Sequence, residues 1–256
     1  MKDILVLYHA NCLDGLGAAW AAWKRFGEAA EYIPVEYGRD PPDVKDKSVY
    51  ILDFSYPREQ LESMYCDAQS VIVLDHHKTA KEALEGLHYA KFDMNKSGAI
   101  LAWEYFHPHK EAPIELLYIQ DRDLWRFNLT RTKPYTTGIR AVMADFSPQG
   151  LDKADTNRAI EVGSMMLNME ATQRNVHEKQ VYKVQIIIDQ TCYEGLACNA
   201  PSYHASELGN TLAVTCGTFG LIYSYSGADK KYYMSFRSTG DFDVSLIAKY
   251  FGGGGY

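Results

Sequence analysis

Three separated segments each end a short apolar run with side chains able to hold a cation. His9, Asn11, Cys12 and Asp14 follow ILVLY, Asp53 follows VYIL, and Asp75, His76 and His77 close SVIVLDHH. A fourth segment, YIQDRDLWRF, mixes Asp121 and Asp123 with Arg122 and Arg126, so that either aspartate could join the set. Singly, an aspartate at the end of an apolar run is an ordinary turn former or helix cap. Gathered in a partly buried site, several carboxylates raise one another's pKa values and push apart unless a cation sits among them. Aspartates with one or two imidazoles and no dedicated thiolate set suit Mn²⁺ or Mg²⁺, with Co²⁺ tolerable, better than structural zinc. Two such ions, about 3.5–4 Å apart, would acidify a bridging water and clamp phosphoryl oxygens, so the chemistry is hydrolysis of a phosphoester or phosphoanhydride. Cys12 has two readings, a small thiol packed after a strand or a metal ligand.

Such a set needs a scaffold that brings the segments to one place, and the pattern of the first half supplies it. ILVLY (4–8), VYILDF (49–54) and SVIVLD (70–75) have strand length and branched content, and helices are expected over 15–26, 57–68, 97–106 and 113–120 between and after them. Strand alternating with helix predicts an α/β domain on a parallel sheet with right-handed crossovers. In such a sheet the carboxyl ends of the strands share one edge, where ligands bind. Residues 156–183 contain no proline and place Val162, Met165, Met166, Met169 and Val176 at helical spacing, which predicts one long helix. Strand-like runs follow in KVQIIIDQ, LACNA, LAVTCG, GLIYSYSG and KKYYMSFRS, then a helix in DVSLIAKYF. The expected organisation is an N-terminal catalytic domain over 1–150, a helical linker over 151–182 and a smaller α+β domain over 183–256.

Composition narrows the function. The chain has 256 residues, 46% apolar, enough for one substantial core or two modest ones. Its net charge of −7 is not that of a polyanion binder, and no basic stripe with interleaved aromatics appears, so long duplex nucleic acid is not the expected substrate. The five cysteines are scattered without a CxxC pair, which reads as reduced thiols, and neither a leader pattern nor an apolar run of spanning length is visible. A cytoplasmic protein without membrane contact is expected, and a homodimer fits. Trp20, Trp23, Trp103 and Trp125 are expected in packing roles and not as base-stacking platforms. At the far end, backbone N–H groups of Gly252, Gly253, Gly254 and Gly255 could converge on a phosphate beside Arg237, although a glycine tail is otherwise simply flexible.

In order along the chain, HANCLDGLGAA (9–19), LDFSY (52–56), LDHHKTA (74–80), NKSGA (95–99), DRDLW (121–125), SFRS (235–238) and DVSLIAKYFGGGG (243–255) resemble the DHH phosphoesterases with their associated C-terminal substrate domain, as in the nano-RNase, RecJ-like and cyclic-dinucleotide phosphodiesterase branches. The resemblance implies two Mn²⁺ ions, with Asp53 bridging, His9 on one ion and Asp14, His76 and Asp121 on the other. It gives Asp75 and His77 catalytic roles, facing substrate or supporting the ligands, and places Ser97, Arg122, Arg237 and Gly252–Gly255 on the substrate side. The expected activity is a metal-dependent phosphodiesterase acting on a short oligonucleotide or dinucleotide. The alternatives are a phosphomonoesterase or phosphoanhydride hydrolase and a non-catalytic nucleotide-binding member. Two features depart from the family pattern. The first motif is one residue short, with Cys12 near the usual first aspartate, and the usual GGGGH reads GGGGY, so that Tyr256 stands for an imidazole and the substrate domain is C-terminally short.

Overall fold

The computed structural model describes residues 2–253, with side chains described for all of these except residues 173–175. The chain divides into two compact units, Met1–Leu167 and Asn168–Tyr256.

The first unit runs β1 (Ile4–His9), α1 (Leu13–Phe26), β2 (Ala30–Val35), β3 (Ser48–Leu52), α2 (Arg58–Asp67), β4 (Ser70–Asp75), α3 (Lys78–Ala83), β5 (Ala90–Phe92), α4 (Gly98–Phe106), α5 (Ile114–Asp123), α6 (Thr132–Val142), α7 (Pro148–Lys153) and the front of α8 (Thr156–Glu178). Its five strands are all parallel, in the order β2-β1-β3-β4-β5. Both faces are covered. Val6, Tyr8, Leu52 and Leu74 pack on one side with Leu16 and Trp20 of α1 and Ala99 and Trp103 of α4. Leu5, Leu7, Ile51 and Val73 pack on the other with Leu61 and Met64 of α2. Burial on both faces is why these strands read as continuous apolar runs and not as alternating ones.

Two strands escape the sequence pattern. β2 contains Pro34 and β5 is three residues long, and both lie at sheet edges, where a missing N–H or a short ladder is tolerated. Leu151 and Ala159, expected in a linker, are buried in the core of the first unit, and the division falls inside α8.

The second unit contains the rest of α8, β6 (Tyr182–Ile188), β7 (Thr191–Asn199), α9 (Ala205–Cys216), β8 (Phe219–Ser226), β9 (Lys231–Ser238) and α10 (Ser245–Tyr250). Its sheet order is β6-β7-β8-β9, antiparallel except for the parallel pair β7–β8 that α9 connects. LAVTCG, read as a strand, is the end of α9. Leu208 and Leu212 are buried one helical turn apart beside Ile222 of β8, and Gly217 ends the helix at φ +75°. Among the described residues no helix is long and apolar enough to cross a membrane.

Candidate metal centre

The strand order changes direction between β1, which continues to β2 on one side, and β3, which leads to β4 on the other. That reversal opens a crevice at the carboxyl ends of β1 and β3. His9 is the last residue of β1 and Asp53 the first after β3, so these two stand at the crevice. The chain leaves β1 through Asn11 in the left-handed region (φ +57°), a conformation asparagine adopts readily, and Cys12 and Asp14 begin α1. A Cβ on Gly15 would lie 2.4 Å from the His9 carbonyl oxygen, so only glycine lets α1 start this close to the strand end.

Asp53 is buried (1% exposed), held at φ +61° with its N–H on the Leu74 carbonyl at 2.9 Å. It lies against the amino end of α4, where a Cβ on Gly98 would approach the Asp53 Cβ to 2.6 Å. The same helix end holds Asp14, whose carboxylate accepts from the N–H groups of Gly98 at 2.6 Å and Ala99 at 3.0 Å. Burial, with the Asp53 and Asp123 carboxylates beside it, nevertheless keeps Asp14 well above the ordinary carboxylate range.

His76 joins the carboxylates. Its Nε2 is 3.2 Å from Asp53 Oδ1, 3.5 Å from Asp123 Oδ2 and 3.6 Å from Asp14 Oδ2. Burial opposes charge on this ring, but the Asp53 hydrogen bond and the carboxylates around it raise its pKa overall. Asp53 is likewise pushed up by burial and then brought far below the usual range by His76, His9 and Asp14. Asp123 is raised to about 6 by burial and by Asp53, against the pull of His76, His77 and His9.

Three donor sets have atoms within 4.8 Å of one another: His9, Cys12 and Asp53; Asp53, His76 and His77; and Asp14, His76 and Asp123. Asp53 belongs to the first two and His76 to the last two. His9 Nδ1 and Asp53 Oδ2 face each other across 3.5 Å, both buried and neither completing a hydrogen bond. Buried lone pairs converging without donors are what a cation satisfies, and the nitrogen and oxygen donors suit a hard divalent ion. Cys12 is brought to this set. Burial and the Asp53 and Asp14 carboxylates push its thiol far up without a cation, the reverse of what a bound ion would do.

Several expected site residues stand elsewhere. Asp121 does not reach the cluster. Its carboxylate accepts from the N–H groups of Asn128 at 2.8 Å and Leu129 at 3.0 Å and from the Thr132 hydroxyl, which holds its pKa down against burial. Residues two apart on a helix point about 200° apart, so only one aspartate of the DRD triplet can face the crevice, and it is Asp123.

Asp75 is wholly buried, and among the described residues its hydrogen-bond partners are His76 and His77. Its Oδ1 accepts from the N–H groups of His76 at 2.7 Å and His77 at 3.3 Å and lies 2.7 Å from His77 Nδ1, so it positions His77 and cannot itself touch a substrate. Ser97, also wholly buried, supports the end of α4 and donates its N–H to the Gln120 side chain. Arg122 lies over the Trp125 ring, 5.9 Å from its centroid. Trp20 and Trp103 are core residues as expected, whereas Trp125 is 45% exposed.

In the second unit Arg237 donates to the Phe236 carbonyl and the Ser206 hydroxyl. The amides of Gly252 and Gly253 are not open to a phosphate. They donate to the carbonyls of Lys249 at 3.0 Å and Ala248 at 2.8 Å, closing α10 with Gly252 at φ +78°. Gly254, Gly255 and Tyr256 lie outside the described residues. Sequence reasoning missed Tyr37, whose ring meets His9 edge-on at 5.0 Å and whose segment carries no signal beyond an exposed turn.

No protein-family model matches the chain. An uncharacterized protein of Acanthamoeba polyphaga mimivirus is 34% identical over 276 aligned positions, covering 98% of this chain and 65% of the relative's length. Among solved structures, an exopolyphosphatase-related protein from Bacteroides fragilis has the same fold at a TM-score of 0.55 and 12% identity, covering 99% of this chain and 84% of that one. An uncharacterized protein from Helicobacter pylori matches with a TM-score of 0.43 at 14% identity, covering 99% and 91%.

Proposed function

We propose that the chain is a metal-dependent hydrolase of the DHH phosphoesterase type, cleaving the phosphodiester of a dinucleotide or short oligonucleotide, with Mn²⁺ as the preferred ion. The observation that carries this reading is the convergence of His9, Asp14, Asp53, His76 and Asp123 at the sheet switch point, with buried donor atoms left unsatisfied. His9, Cys12 and Asp53 would hold one ion, and Asp14, His76 and Asp123 a second. Bound there, the ions supply an activated water and neutralise charge on phosphoryl oxygens.

The rest falls to the chain itself. Asp75 fixes the orientation of the His77 ring through Nδ1, and the imidazole so held would serve as the proton donor to the departing oxygen. The amides of Gly98 and Ala99 hold Asp14 in one orientation, so that its free lone pairs are preset and need no reorganisation. Asp53, pinned by its positive φ and by its N–H on the Leu74 carbonyl, keeps its carboxylate between His9 and His76.

A second reading, hydrolysis of a phosphoanhydride such as polyphosphate, is favoured by the fold shared with the exopolyphosphatase-related protein. Mass spectrometry of products from pApA, a cyclic dinucleotide and polyphosphate, each with Mn²⁺, separates the two. AMP from pApA supports the leading reading, and phosphate from polyphosphate alone replaces it. Asp53→Ala should lose activity on any of them while remaining folded, and normal turnover by that variant at saturating Mn²⁺ would remove Asp53 from the centre.

A further inference from the structure

The segment after Asp123 is unlike its surroundings. In a chain of net charge −7, residues 124–144 carry four basic side chains, Arg126, Arg131, Lys133 and Arg140, and no acidic one. The segment also displays aromatic rings. Trp125 is 45% exposed, only two residues beyond a donor of the metal cluster. It meets Phe127 edge-on at 4.9 Å, with the Arg122 guanidinium 5.9 Å from its centroid, and Lys133 Nζ is 4.7 Å from the Phe127 centroid.

The backbone here is strained and held by design of the neighbouring contacts. Trp125 and Phe127 have φ of +54° and +51°, a conformation bulky side chains avoid. Asp121 imposes it by binding four consecutive amides. Its carbonyl takes the N–H groups of Arg126 at 2.8 Å and Phe127 at 3.2 Å, and its carboxylate takes those of Asn128 and Leu129. Arg126 Nη2 ties the segment to the Asn95 carbonyl at 2.7 Å. A strained loop that shows a tryptophan to solvent, when burial would be favourable, points to a ligand for that ring.

We propose that this segment is the nucleobase-binding rim of the metal centre, with Trp125 as a stacking surface for a base of the substrate and Arg122 as the cation for its adjacent phosphate. An exposed ring with a guanidinium beside it, next to a phosphoester-cleaving site, is what a base and its phosphate require together, and neither an inorganic polyphosphate nor pyrophosphate would use the ring. This rests on the reading of the centre as a phosphoesterase and selects a nucleotide substrate for it.

The test is calorimetric titration of AMP, and separately of inorganic phosphate, into the full chain with Mn²⁺ present, for the wild type, Trp125→Leu and Trp125→Phe. Loss of one stacking partner should weaken AMP roughly 5- to 150-fold in Trp125→Leu. Phosphate affinity should not change, and Trp125→Phe should stay within a few-fold of the wild type. Wild-type AMP affinity in Trp125→Leu overturns the proposal, as does an equal fall for AMP and phosphate, which would make the loop a support for Asp123. Should the leucine variant fail to fold, Trp125→Phe decides through fluorescence. AMP, and not phosphate, must quench wild-type emission more than that of the variant, and equal quenching refutes the stack. Because the readout is binding, a protein that stacks AMP on Trp125 but cleaves no phosphodiester fails the functional reading alone, and one that cleaves pApA with Trp125→Leu binding AMP normally fails this inference alone.

Discussion

Replacing Gly98 by alanine tests the centre without substituting any donor. The added methyl would sit 2.6 Å from the Asp53 Cβ and 2.7 Å from its Oδ1. Carbon atoms settle at about 3.5–4.0 Å, so α4 and Asp53 must part by about 1 Å. Neither can yield freely. Asp53 is held by its positive φ and the Leu74 carbonyl, and the amino end of α4 by its two amides on Asp14. Overpacking of this kind is destabilising by about 1–3 kcal/mol, which for a unit of this size lowers Tm by roughly 2–4 °C per kcal/mol.

The effect on metal should be the larger signature. Donor positions must hold within about 0.2 Å, and loss of supporting contacts typically weakens a metal site by about 10–100-fold. Isothermal titration with Mn²⁺, beside thermal melts in EDTA, reads the two effects separately. Gly227→Ala, where a Cβ meets nothing within 4 Å, is the control and should alter neither. If Gly98→Ala binds Mn²⁺ as the wild type does, the tight contact between α4 and Asp53 does not set the donor geometry and the reasoning fails.

Cys12→Ser should cut Mn²⁺ affinity, and Cys12→Asp should restore it, if the thiolate is a donor beside His9 and Asp53; unchanged titration curves for both would make it a packed thiol. Asp121→Ala should lower stability by about 1–3 kcal/mol, by orphaning the acceptors' partners in residues 128–132, whereas Asp123→Ala should leave the melt near wild type and weaken metal binding. Equal behaviour of the two variants would refute the division of roles. In EDTA the raised pKa values of Asp14 and Asp123 mean that these two groups bind protons more tightly in the folded chain than in the unfolded one. Their contribution to stability should therefore be greatest below the carboxylate value of 3.8 and be lost as pH rises through about 6, against the opposite trend of Asp53 and Asp121. In melts across that range Asp123→Asn should lose less stability with rising pH than the wild type, and an unchanged pH dependence would refute the assignment.

The central strands and their donors were legible because three independent properties coincide in them: branched apolar runs of strand length, an abrupt polar end, and hard ligands at that end. That coincidence gathers His9, Cys12, Asp14, Asp53, Asp75, His76 and His77 at one edge once a parallel sheet is assumed, but it does not choose among them; the choice of His9, Asp14, Asp53 and His76 as ligands comes from the family resemblance. The sequence is silent where a choice depends on rotation about a helix axis. Asp121 and Asp123 are chemically identical neighbours, and only the docking of α5 tells that one organises the following loop while the other meets His76. Trp125 is a similar case, since its exposure depends on a loop conformation imposed by Asp121. Pro34 hid β2, because a proline counts against a strand unless the strand is known to lie at an edge. The glycines after α10 showed their freedom but not its use. Gly252 and Gly253 satisfy the end of a helix, a role that a run of identical residues does not distinguish from anion binding.

The candidate donors span residues 9–123 and come from the ends of three strands and two helices. No two of the segments that carry them are near each other until β1, β3 and β4 have paired and α4 and α5 have docked. An unfolded or half-folded chain therefore offers an ion isolated carboxylates and imidazoles, none of which holds it well, and closing the intervening loops must come first. An ion bound by these residues would therefore contribute after the folding barrier has been crossed. Its stabilisation would fall on the rate of escape from the native state, slowing unfolding in proportion to its affinity while leaving the folding rate unchanged.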